Sequence, residues 1–143
     1  MFIGITLHFG KRLNGFRIGV EYSRVSHAGT PYLDRWIIYF GGTLRLHYFF
    51  RGDDDRAFHD HPWPFITFPL STYHEVVFNP QLGDGVPYVN TVRRWRFHYR
   101  PSSYRHRVLD RLPFWTIVIS GPYERHWGFW PKPDEYVPYE DWT

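Results

Sequence analysis

Apolar and polar residues alternate with a period of two along most of this chain, the period of strands that bury one face. Phe16 to Arg24 runs Phe-x-Ile-x-Val-x-Tyr and predicts a strand. Trp36-Ile-Ile-Tyr-Phe is apolar throughout and predicts a buried strand. Leu44 to Arg51 is its returning partner, joined through Gly41-Gly42 as a hairpin. Short strands are expected at Phe58 to His61, Phe65 to Leu70 and Tyr73 to Phe78. A loop follows from Asn79 to Pro87, then an alternating strand from Thr91 to Arg100. Tyr104 to Leu109, Phe114 to Ser120 and Arg125 to Trp130 complete the set. The tail from Pro131 to Thr143 contains Pro131, Pro133 and Pro138 and is expected to pack as an irregular arm. No segment carries a helical period. Short strands with turn signals at close intervals predict an all-β sandwich or jelly roll, whose interior can hold a small-ligand cavity.

Composition narrows the picture. The length of 143 residues predicts one domain with a real core, and no linker divides it. Aromatics at 22%, with 12 Gly and 12 Pro, favour strands and turns. Cys is absent, so disulfides, thiolate-bound zinc and iron–sulfur clusters are excluded. Any metal must be held by His, Asp or Glu. The first residues lack the apolar run of a signal peptide, and no stretch approaches a membrane span; a cytoplasmic protein is the expectation. Every basic residue except Lys11 and Lys132 is an arginine, the side chain suited to bidentate capture of carboxylate or phosphate.

The candidate chemistry lies in His59-Asp60-His61-Pro62 and in His106 of the later strand. Histidines at i and i+2 on an extended segment point to one face, and a neighbouring strand can bring a third. Neutral imidazole suits Fe, Mn, Ni, Cu and Zn. His47 shares a face with Arg45 and Phe49, and reads as either a structural histidine or a contact near such a site. Asp53, Asp54 and Asp55 lack the spacing of a calcium loop and read as a solvated turn beside Arg51 and Arg56.

These residues resemble the cupin superfamily. His59 and His61 match its His-x-His motif, and His106 after Pro101 matches the second motif. The His59-Asp60-His61-Pro62-Trp63 core, with Trp127-Gly128-Phe129, is similar to a small cupin group of bacteria and their phages. The resemblance implies a double-stranded β-helix, a cupin-like barrel over about residues 16–130, and a metal held by His59, His61 and His106. The motif's usual Glu is missing, since Phe65 and Ile66 stand in its place. Glu75 is the nearest downstream carboxylate and is the expected fourth ligand; His74 is the rival.

An inward aromatic face would line the pocket with Phe65, Tyr73, Trp95 and Phe97, with Arg93 at its mouth to hold an anionic substrate. Open metal positions favour a non-haem Fe(II) oxygenase, a dioxygenase in the simplest case. A sugar or sugar-nucleotide isomerase or epimerase is the second enzyme reading, with Glu75 or Tyr73 as base. A third reading is a binding module whose outward Arg94, Arg96, Arg100, Arg105 and Arg107 form a basic stripe for nucleic acid or another polyanion. A homodimer through tail aromatics is a further expectation.

Overall fold

The computed structural model describes residues 2–13, 16–27, 29–52, 57–79, 85–109 and 113–142, with the backbone alone for 2–8, 11–13, 16–17 and 27. The Asp53–Asp55 turn and much of the 79–87 loop lie outside the described residues. Among the described residues thirteen strands follow one another: β1 (Phe2–Leu13), β2 (Phe16–His27), β3 (Thr30–Phe40), β4 (Thr43–Phe49), β5 (Phe58–His59), β6 (Phe65–Pro69), β7 (Tyr73–Val77), β8 (Tyr88–Val92), β9 (His98–Arg100), β10 (His106–Val108), β11 (Phe114–Ser120), β12 (Gly128–Lys132) and β13 (Glu135–Pro138). They pair antiparallel in two sheets, ordered β1-β2-β3-β4-β11-β6-β9 and β13-β12-β5-β10-β7-β8. Among the described residues the helical content is one 3-10 turn, Tyr139–Asp141. No described helix is long and apolar enough to cross a membrane.

The expected hairpin at Gly41-Gly42 is present, with Tyr39 opposite Thr43 and Gly41 at φ 97°, a conformation that favours glycine. Its first strand is buried on one face only. Ile37 is 2% exposed, whereas Trp36, Ile38 and Phe40 lie on the outer side of the sheet, 39%, 49% and 58% exposed. An apolar run does not distinguish a strand covered on both faces from one covered on a single face.

The expected strand over 91–100 is broken. Val92 ends β8 in one sheet, and β9 begins at His98 in the other. The chain crosses between sheets through a turn in which Trp95 adopts φ 61° and donates its backbone N–H to Pro69 O at 2.9 Å. Alternation within 93–97 therefore has no sheet to face. The tail is also more regular than expected. β12 and β13 form a hairpin in which Gly128 meets the opposite strand so closely that a Cβ would lie 2.2 Å from Val137 O. Behind it, Trp142 stacks on Phe129 at 4.5 Å and Tyr139 on Trp127 at 4.8 Å. The N-terminal strand β1, which carries no clear pattern, is placed by its full pairing with β2.

Between the sheets Tyr73, Val92, Val108 and Phe114 form a buried cluster, with Phe49 packed against it. Phe114 stacks between Phe49 and Tyr73, both at 4.8 Å. Each ring buried there contributes roughly 1.5–3 kcal/mol. The cluster closes one side of the barrel and leaves a cavity of about 460 Å³ beside it.

Candidate metal centre

Strand pairing brings the three motif histidines together. His106 of β10 lies directly opposite His59 of β5, and Phe129 of β12 pairs with His59 from the other side. His61 has left the ladder, but its backbone N–H donates to Ser102 O at 3.0 Å, which keeps the segment extended. One ligating atom from each of His59, His61 and His106 lies within 4.8 Å of the others. His61 Nε2 and His106 Nε2 are 3.3 Å apart.

Asp60, between the two motif histidines, fixes this segment. It is 1% exposed and accepts the Gly128 N–H and the Trp130 indole N–H, both at 2.9 Å. Arg125 pairs with it at 2.8 Å. One carboxylate thus ties β5 to β12 and turns its neighbours His59 and His61 toward the cavity.

Glu75 does lie inward on β7, but its carboxylate is turned away from the three-histidine centre. Its Oε2 is 2.5 Å from His106 Nδ1, and its Oε1 accepts from Tyr104 Oη at 2.6 Å, Arg100 at 2.9 Å and Asn90 at 3.0 Å. The carboxylate expected to ligate directly is instead the hydrogen-bond partner of a candidate ligand. Burial tends to raise the Glu75 pKa, but His106, Arg100 and Tyr104 outweigh it and bring it down to about 2. Burial and the adjacent carboxylate push the Tyr104 hydroxyl up. Ionised Glu75 accepts a hydrogen bond from His106 Nδ1–H, which leaves Nε2 as the lone-pair donor. His74, the alternative ligand, is exposed.

The residues fit a divalent transition metal. Burial, then the neighbouring His106 and His59, holds the His61 pKa well below that of a free imidazole, so its ring is neutral and able to donate. Its Nδ1 has no hydrogen-bond partner. Two buried Nε2 atoms facing each other need either a shared proton or a cation between them. An all-imidazole set with a carboxylate behind one ring suits Fe, Mn, Ni or Zn.

The cavity wall combines expected and unexpected residues. Phe65 and Tyr73 line it, Phe65 with its ring centroid 4.5 Å from that of His61. Arg93, Trp95 and Phe97 do not; all three are exposed in the crossing turn, Trp95 at 61% and Phe97 at 71%. The expected basic stripe is also divided. Arg94 and Arg96 are exposed in that turn, Arg100 turns inward to Glu75, and Arg105 is 4% exposed with its guanidinium carbon 3.4 Å from the Trp130 ring centroid. Among the described residues the arginines that line the cavity are Arg35 and Arg45, which were not among the expected site residues. Their signal lies in the period of two: Arg35 shares a strand face with buried Leu33 and Ile37, and Arg45 with buried Thr43 and His47.

No family model matches the chain, and no curated protein matches it. Solved structures share its fold. FeII HppE in complex with substrate aligns with a TM-score of 0.54 at 9% identity, over 69% of this chain and 55% of that one. Oxalate decarboxylase of Bacillus subtilis, described with Mn(II) centres, aligns at 0.52 with 15% identity, over 72% of this chain and 29% of that one. A cupin domain from Bordetella pertussis aligns at 0.47 with 16% identity, over 62% and 92%. The chain spans about half the length of the HppE chains it matches. The architecture is an all-β fold of two antiparallel sheets, shared with HppE and oxalate decarboxylase, with a three-histidine cluster able to hold a metal.

Proposed function

We propose that the chain is a metal-dependent enzyme acting on a small molecule, with an Fe(II) oxygenase as the leading reaction class. The carrying observation is the convergence of His59, His61 and His106 at one wall of an aromatic cavity, with Glu75 behind His106. A bound iron would supply redox chemistry and vacant positions for O2 or substrate. The chain's own residues would do the rest. Glu75 orients His106 and keeps the proton on Nδ1. Phe65, Trp63 and Phe129 exclude water from the imidazoles. The fold neighbours include proteins described with Fe(II) and with Mn(II), which supports a metal without selecting one.

The isomerase or epimerase reading is weakened by one feature. Glu75, its expected base, does not line the cavity, which leaves Tyr73 as the remaining candidate of that pair. The two readings separate by oxygen dependence. An Fe(II)-loaded sample with substrates from a small-acid panel should consume O2. Equal turnover without O2 on Zn(II) or Mn(II) would overturn the oxygenase reading.

A further inference from the structure

The inner face of the seven-stranded sheet carries polar groups that the three-histidine cluster does not use. Pairing of β3 with β4 sets Arg35 directly opposite His47 and Ile37 opposite Arg45, and β11 sets Thr116 on the other side of His47. Arg35, Arg45 and His47 line the same cavity as the three imidazoles. Hydrophobic side chains would fill this layer if it were only a core.

Two of these groups keep hydrogen-bonding capacity turned to the cavity. His47 is 9% exposed, and its Nε2 has no hydrogen-bond partner. Burial, then the charges of Arg45 and Arg35, keeps its pKa well below normal, so it is a neutral imidazole. Arg35 donates from Nε to Ser23 Oγ at 2.5 Å and otherwise feels Glu21 and Tyr39 through longer-range electrostatics. Burial lowers its pKa as well. Arg45 is more engaged: its Nε donates to Thr43 Oγ1 at 2.9 Å, and its guanidinium carbon lies 4.7 Å from the Trp63 ring centroid. A half-buried guanidinium set across the strand pair from an imidazole with an unpartnered Nε2 is a place that an anionic acceptor can fill.

Charge selects the acceptor. Among the described residues lining the cavity, the guanidiniums of Arg35 and Arg45 face one carboxylate, Glu21. The surplus is one positive charge. With the imidazoles empty a monoanion neutralises it; a divalent cation there would add two positive charges, which the other end of the substrate would meet.

We propose that Arg35 and His47 seat the carboxylate of a small monoanionic substrate, its apolar body lying among Phe49, Phe65 and Tyr73 and its other end at the imidazole cluster. This rests on the metal-enzyme reading for the identity of that end, but the seat itself can be tested alone. A cavity of about 460 Å³ accommodates a ring-bearing acid.

The test is calorimetric titration of the purified protein with benzoate, its neutral isostere benzamide, and phenylphosphonate, with metal content measured on the same samples. Benzoate should bind at least about tenfold more tightly than benzamide and more tightly than phenylphosphonate. Arg35→Gln should bring the benzoate-to-benzamide ratio close to one while metal content stays unchanged. In the unsubstituted protein, the His47 ring nitrogen resonances should shift with benzoate and not with benzamide, a readout that does not depend on a variant folding. His59→Ala should lose metal and keep the ratio. That ratio persisting in a protein that takes up no metal would overturn the metal reading and leave the seat standing. A ratio lost in His59→Ala but kept in Arg35→Gln would overturn the seat, as would equal binding of benzoate and benzamide. Tighter phenylphosphonate binding would overturn the carboxylate assignment.

Discussion

His106 Nδ1 and Glu75 Oε2 stand 2.5 Å apart, so the third imidazole of the cluster is held from behind by a buried carboxylate. This relationship sets the tautomer of the ring and removes Glu75 from direct ligation. Glu75→Gln should therefore weaken metal binding by about 10–100-fold without abolishing it. The same change leaves Arg100 without its carboxylate at 2.9 Å and should cost about 3 kcal/mol of stability. Metal titration and urea unfolding of the variant check the two effects separately. Unchanged metal affinity would contradict the orienting role.

Asp60 should matter as much to the site as the histidines that flank it. Asp60→Ala leaves Arg125, the Trp130 indole and the Gly128 amide without their shared acceptor. The expected loss is about 3–5 kcal/mol, measurable by chemical denaturation. Metal content should fall with it, because the segment carrying His59 and His61 loses its side-chain anchor on β12.

Acid should destabilise the metal-free protein through His47. Its folded pKa is pushed well below the ordinary 6.5, first by burial and then by Arg45 and Arg35. Below about pH 6.5 the unfolded chain takes up a proton that the folded chain does not. The stability is thus fully present above that pH and declines as pH falls, by up to about 1.4 kcal/mol per pH unit. His61 acts in the same direction. Urea unfolding at pH 5, 6 and 7 should show the slope, and His47→Gln should reduce it. A pH-independent midpoint would contradict a neutral, buried His47.

Substitutions in the crossing turn should spare the site. Arg93→Ala should leave metal content unchanged. Trp95→Gly should relieve about 1 kcal/mol of backbone strain at φ 61°, offset in part by the lost contact with Phe68. Metal analysis and thermal unfolding of both variants check this. Loss of metal in either would mean that the turn supports the cluster.

The strands and the histidine cluster were legible because each rests on a local signal. Alternation marks β4 and β11, and His59 and His61 are two apart on one extended segment. What was not legible depends on which sheet a segment joins. Residues 91–100 alternate as one strand would, yet β8 and β9 belong to different sheets, so Arg93, Trp95 and Phe97 face solvent. The direction of the Glu75 carboxylate was equally hidden. The alternation of β7 puts it inward, but its bonds depend on Asn90, Arg100, Tyr104 and His106 from β8, β9, the following turn and β10. Arg35 was missed for a related reason: its apolar neighbours suggested a buried face, and a cation there reads as an outward residue until the register places it beside His47.

The central claim is that His59, His61 and His106 hold one metal ion. A crystal structure of the Fe(II)- or Zn(II)-loaded protein, with data at the corresponding absorption edge, tests it most directly. One anomalous peak bonded to all three imidazoles is expected, with His61 and His106 donating from Nε2 and Glu75 remaining on His106 Nδ1. Loaded protein with no peak among these rings, or with the ion held elsewhere, would contradict it.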